Sequence, residues 1–151
     1  MRIGLSSSLK HDTPSQWAEK MKELGCGAVV FPVDYTAPEE LIDAYAGAAK
    51  KAGLVIAEVG AWCNPVAPAE TERRAAMERC IGQLKLADKI GANCCVNIAG
   101  STGSRWDGAY KENFSEEHWE KTVKSIQEII DAAVPVNTYY TIEPMPWMVP
   151  K

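Results

Sequence analysis

The sequence predicts an α/β protein, a partial (β/α)8 barrel of five parallel strands and four helices. Two observations lead there. Short apolar runs rich in β-branched residues alternate with longer amphipathic stretches along nearly the whole chain. The runs are continuously apolar, as strands are when helices cover a sheet, and strand–helix–strand crossovers make neighbouring strands parallel. An open doubly wound sheet has the same alternation and would be complete in 151 residues, whereas an eight-stranded barrel needs about 250. A dinucleotide-binding open sheet carries G-x-G-x-x-G after its first strand. That position reads Ser6-Ser7-Ser8-Leu9-Lys10 here, and no G-x-x-x-x-G-K-[ST] occurs. The barrel is the favoured reading. Residues 1–151 are then one domain, the N-terminal portion of a barrel, with the closing strands absent.

The elements follow in order. Ile3-Gly4-Leu5 is the first strand. Thr13-Pro14-Ser15-Gln16 supplies an N-cap, a proline at the first helical position and a glutamine to complete a capping box. Trp17, Met21 and Leu24 fall on one face of that helix, and Gly25 stops it. Ala28-Val29-Val30-Phe31 is the second strand. Thr36 and Glu39 offer another capping box, Leu41, Tyr45, Ala48 and Ala52 a buried stripe, and Gly53 the stop. Leu54 to Val59 is the third strand. A loop through Pro65 and Pro68 leads to a helix bearing Met77, Cys80, Ile81, Leu84 and Ala87, ended by Gly91. Asn93 to Ile98 is the fourth strand. Ser115 caps the last helix, whose stripe is Trp119, Val123, Ile126, Ile130 and Ala133 and whose end is marked by Pro135. Thr138 to Ile142 is the fifth strand, closing on Glu143.

Composition removes several classes of function. Lys and Arg number 16 against 20 Asp and Glu, a net charge of −4, which leaves no basic footprint for nucleic acid or an anionic membrane. No apolar run approaches the roughly 20 residues of a membrane span, and the first segment turns polar at Ser6, too early for a secretory leader. The five cysteines include no C-x-x-C pair. They read as small buried hydrophobes in a reducing cytoplasm, with Cys94 and Cys95 on opposite faces of a strand.

In either architecture, chemistry belongs beyond the carboxyl ends of the strands. Glu143 stands out there, because a carboxylate ending an apolar strand is costly to bury unless a metal or a donor neutralises it. Pro144 and Pro146 behind it mark a fixed loop. Glu58 has the same position on the third strand, with Trp62 and Asn64 in the loop beyond. Asn97 lies near the end of the fourth strand and Trp106 in the loop after it. Glu58, Trp62, Asn64, Asn97 and Trp106 are the candidate substrate-binding residues, the tryptophans as faces on which a sugar ring stacks. Structural roles (a salt bridge for Glu58, packing for each tryptophan) compete with these assignments. The run from Gly100 to Phe114 is long enough to resemble a lid. His11 and His118 share no metal-type spacing.

Tyr139-Tyr140-Thr141-Ile142-Glu143-Pro144 resembles the fifth strand of the xylose-isomerase-like TIM barrels, the sugar phosphate isomerase/epimerase superfamily. The run from Leu84 to Ala92 before an apolar strand, and Lys51-Ala52-Gly53-Leu54, resemble that family's approaches to its fourth and third strands. The resemblance implies a metal-dependent sugar or sugar phosphate isomerase or epimerase, working through an enediolate or a hydride shift. It implies a divalent ion (Mn, Mg, Co or Zn) at the barrel mouth, held only in the complete barrel by ligands from strands five to eight. Glu143 matches the metal ligand on the fifth strand, which in the epimerases also moves a proton. The other ligands fall beyond Lys151, so this chain alone is expected to be inactive. Its unpaired sheet edges are expected to drive self-association. A catalytically dead barrel module that binds a sugar or a partner is the alternative, and metal binding by the complete protein discriminates the two.

Overall fold

The computed structural model describes residues 2–6 and 9–149, so Ser7 and Ser8 of the first loop lie outside the described residues. Strands and helices alternate without a break: β1 (Gly4–Leu5), α1 (Pro14–Glu23), β2 (Ala28–Val30), α2 (Glu39–Lys51), β3 (Val55–Gly60), α3 (Glu70–Ile90), β4 (Cys94–Ile98), α4 (Glu116–Ala133) and β5 (Tyr139–Glu143). The sheet runs β1-β2-β3-β4-β5 and every pairing is parallel. That sequential order is a barrel's, not that of a doubly wound sheet, whose order reverses. None of the helices is long and apolar enough to cross a membrane among the described residues.

Local chemistry explains most boundaries. The Thr13 hydroxyl accepts from the Gln16 amide at 3.2 Å, and the Gln16 side chain reaches back to the Asp12 amide at 2.9 Å. Ser115 caps α4 by accepting from the His118 amide at 3.2 Å. Gly25, Gly53 and Gly91 leave their helices at positive φ, where a side chain would be strained.

Three details differ from expectation. The Thr36–Glu39 capping box does not form: α2 starts at Pro38, and Thr36 bonds instead to Asp34 in the preceding turn. Leu24 and Leu41 are exposed, Leu24 because it is the cap residue where α1 ends and Leu41 because Ile42, Tyr45 and Ala49 take the buried face of α2. On α4 the buried row is His118, Thr122, Ser125 and Ile129, while Trp119 and Ile130 are exposed. That helix packs against α3, and this contact, not the apolar stripe, fixes which side turns inward.

The sheet separates two faces. Val29, Ile56, Val59 and Cys95 face the helices and join Trp17, Met21, Ile42, Tyr45, Cys80 and Leu84 in one core. The other face carries the register rows Val30–Glu58–Cys94–Tyr139, Gly60–Val96–Thr141 and Ile98–Glu143. A bulge in β3 decides this arrangement. Ile56 pairs with Val29, yet Glu58 pairs with Val30, so Ala57 is one residue too many. An extra residue flips every side chain after it. Without it Glu58 would point with Ile56 into the helix-covered core.

Candidate active site at the carboxyl ends of the strands

Glu58 and Glu143 emerge on the inner face, the first half-buried and the second exposed at the end of β5. Neither carboxylate has a hydrogen-bond or ion-pair partner among the described residues. Burial, and then the negative charge of Glu143, push the Glu58 carboxyl above its usual range. Two unpaired carboxylates on one face, near enough for the charge of one to act on the other, attract a proton or a cation. As hard oxygen donors they suit a divalent ion such as Mg²⁺ or Mn²⁺. No group of three or more His, Cys, Asp or Glu able to hold a metal occurs among the described residues.

The two tryptophans line one cleft. A cleft of ≈ 370 Å³ is walled by Trp62, Cys63, Glu72, Arg79, Ser104 and Trp106, among others. Trp62 has φ 43, a left-handed backbone unusual for a bulky residue and of a kind that gathers at functional sites. Its indole lies over Gly60, where a Cβ would come within 2.0 Å of Nε1. Gly60 shares the inner face with Glu58. The loop is held from below by α3: Arg79 Nε donates to the Ala61 carbonyl at 2.6 Å, and Gln83 Nε2 to the Gly60 carbonyl at 2.9 Å. Arg79 also pairs with Asp34 at the end of β2. Burial raises the Asp34 carboxyl, but the Thr36 hydrogen bonds and the Arg79 charge outweigh it and hold the group below its usual value.

The asparagines have other work. Asn97 is wholly buried on the helix side of the sheet, accepting from the Cys63 amide at 3.0 Å and donating toward Cys80 and Tyr140. Asn64 lines the cleft, but its carboxamide is spent on Ser101 and Val66, tying the loop after β3 to the loop after β4. The polar atoms of both are thus bonded within the protein. The Gly100–Phe114 run is no free lid either. It contains a 3-10 turn, Lys111–Phe114, and is pinned by buried Asn113, which bonds Thr102, Gly108 and Trp147. His11 is bonded to Leu9 and Tyr45, and His118 is buried under the first turn of α4.

A family model described as a xylose isomerase-like TIM barrel matches residues 18–150. The chain belongs to that family. Among solved structures, a candidate xylose isomerase from Rhodospirillum rubrum superposes with a TM-score of 0.75 at 18% identity, over 97% of this chain and 55% of its own. D-Psicose 3-epimerase from Clostridium cellulolyticum, in a complex with D-tagatose, gives 0.68 at 17%, over 94% and 52%. A xylose isomerase-like TIM barrel protein from Mycobacterium smegmatis in complex with magnesium gives 0.63 at 13%, over 91% and 49%. At these identities the likeness is one of fold, and this chain spans about half the length of the structures it matches. No curated protein matches the sequence.

Within this xylose isomerase-like half-barrel, sequence reading passed over Arg79, Gln83, Asn113 and Tyr140. Arg79 and Gln83 stand one helical turn apart on α3, a spacing that could have flagged a polar row turned toward the sheet. Nothing local distinguishes Asn113 or Tyr140.

Proposed function

We propose that this chain forms the N-terminal half of the catalytic barrel of a sugar isomerase or epimerase. The observation that carries the reading is the pair of unpaired carboxylates, Glu58 and Glu143, turned to one face at the carboxyl ends of β3 and β5. Glu143 would hold a divalent ion with ligands outside this chain, and would take or return the proton at the carbon beside the substrate carbonyl. A bound divalent ion supplies Lewis-acid polarisation of the sugar's carbonyl and hydroxyl oxygens. Glu58 lies on the same face, and its carboxyl, raised by burial and by the charge of Glu143, serves as a second proton carrier. Trp62 and Trp106 offer apolar faces for a sugar ring, and Trp62 shields the inner face from water. The substrate is a small ketose or its phosphate. The unpaired edges of β1 and β5 are where the rest of a barrel, or another copy, would add.

The test is ketose epimerisation and isomerisation by the complete protein, with Glu143 and with Glu143→Gln. The substitution keeps shape but removes a charge and a proton acceptor. Loss of even an outer partner costs about 10–100-fold, so kcat/KM should fall by at least that. Normal turnover by the Gln variant would remove Glu143 from the mechanism.

A further inference from the structure

We infer that Cys63 and Cys80 form an oxidisable dithiol which closes to a reversible disulfide, tying the loop that carries Trp62 to α3. This site stands apart from the sugar reading and does not depend on it. The two sulfurs are 3.4 Å apart, seventeen residues from one another in sequence. Each is placed for its part. Cys63 is half-buried and lines the ≈ 370 Å³ cleft, so a small oxidant reaches it. Cys80 is fully buried behind it, and beside the Cys63 sulfur two donors converge on its own, Asn97 Nδ2 at 3.4 Å and the Tyr140 hydroxyl at 3.4 Å. A buried sulfur ringed by donors is arranged for a thiolate, not for packing alone. The hydrogen bond from Cys63, aided by Tyr140, the Arg79 charge and Asn97, holds the Cys80 thiol below its ordinary value against the cost of burial. Cys63 is displaced upward by the same pairing and by burial.

The chemistry balances with a hydroperoxide as the oxidant. Across the 3.4 Å contact the Cys63 proton passes to the Cys80 thiolate. The Cys63 thiolate so formed attacks one peroxide oxygen, and the O–O bond breaks. The released hydroxide takes a solvent proton and leaves as water, giving the sulfenic acid at the cleft. The Cys80 sulfur then attacks the Cys63 sulfur, the S–S bond forms, and the S–O bond breaks. The departing hydroxide takes the remaining thiol proton as a second water. Two thiols are oxidised and one peroxide is reduced to two waters. The sulfurs must close from 3.4 Å to about 2.05 Å. Cys80 is fixed in mid-helix, so the loop bearing Cys63 makes the movement, and Trp62 moves with it.

The test treats the full chain with hydrogen peroxide, blocks free thiols under denaturing conditions and digests with trypsin. Cys63 falls in the fragment 52–73, Cys80 in 80–85, and Cys94 and Cys95 together in 90–105, so a link between Cys63 and Cys80 has a mass of its own. The expected product joins 52–73 to 80–85 at two hydrogens, about 2 Da, below the sum, and dithiothreitol releases it. Cys63→Ser and Cys80→Ser each abolish it. Tyr140→Phe, which keeps the ring and deletes one donor, slows its formation several-fold. Cys63 accumulating as sulfinic acid with Cys80 still free, a dominant link to the fragment 90–105, or an unchanged rate in Tyr140→Phe would overturn the inference.

Discussion

Glu58 and Glu143 stand two strands apart on the same face of the sheet, and the charge of Glu143 adds to burial in raising the Glu58 carboxyl. The bulge at Ala57 creates this relationship. It has a direct consequence for stability. A group whose folded value is raised contributes stability that is present at low pH and is lost as pH rises through that value. Ionised Glu58 is therefore a strain on the fold at neutral pH. Glu58→Gln should raise the urea midpoint at pH 7 and leave it unchanged at pH 4. The gain stays below about 1 kcal/mol, because half-exposed charges are screened by solvent. An equal change at both pH values would mean that charge is not the cause.

Asn97 tests the wall between the sheet and α3. Its carboxamide is the acceptor for the buried Cys63 amide. Asn97→Ala leaves that N–H without a partner and opens a small void. The expected cost is about 1–3 kcal/mol, the usual penalty for orphaning a buried polar group. Urea denaturation with an unchanged m-value measures it. A neutral substitution would mean that water replaces the side chain and that the loop after β3 is held by Arg79 and Gln83 alone.

Much of the fold was legible because its signals are local. Thr13, Ser115 and the glycines at 25, 53 and 91 act on their own neighbours, so the sequence placed the helix ends nearly where they lie. The carboxylates Glu58 and Glu143 were legible as strand-end acids. What put Glu58 on the same face as Glu143, the extra Ala57, was not, because a bulge is fixed by pairing with β2 and leaves no residue signature. The partners of Asn64 and Asn97 were hidden for a similar reason. A polar residue at a strand end reads the same whether it meets substrate or a neighbouring loop, and only the third dimension supplies Ser101 and Cys63 as partners. The α4 stripe was misread because tertiary contact with α3 overrode the apolar periodicity.

His118 predicts an acid-side loss of stability. Burial lowers its value most, with the nearby Lys121 charge acting the same way and a hydrogen bond to the Gly100 backbone acting against both. A histidine lowered on folding binds its proton more readily when unfolded. Stability is thus complete above the unfolded value, about 6.5, and falls as pH drops from there toward the folded value. Urea midpoints at pH 7.5 and 5.5 should differ more in the native chain than in His118→Gln. The two chains differ at this side chain alone, so the difference isolates His118. Identical slopes would exclude it.

The sheet's ends predict association. β1 and β5 are each paired on one side only, and Tyr139 of β5 is 74% exposed. Open strand edges recruit other chains. Sedimentation should show self-association of this chain that grows with concentration. Replacing Tyr139 by Lys on that edge should weaken it. A compact monomer at every concentration would show that the edges are protected in solution.

Gly60 gives the sharpest handle on Trp62. A Cβ there would meet the indole at 2.0 Å from Nε1, 2.5 Å from Cδ1 and 3.0 Å from Cε2. Those atoms belong to a movable side chain, so Gly60→Ala should displace the ring, not unfold the sheet. Crowding of this kind costs about 1–3 kcal/mol, partly offset if Trp62 relaxes from its left-handed backbone, itself a strain of about 1–3 kcal/mol. The indole N–H resonance of Trp62, assigned by its loss in Trp62→Phe, should shift while the other four tryptophan signals stay in place. In the complete protein the same substitution leaves Glu58 and Glu143 untouched. It should therefore raise KM for the sugar more than it lowers kcat, the mark of lost ground-state binding. An unmoved resonance would mean the indole does not rest on Gly60. A fall in kcat at constant KM would place Trp62 in the chemical step instead of the binding of the ring.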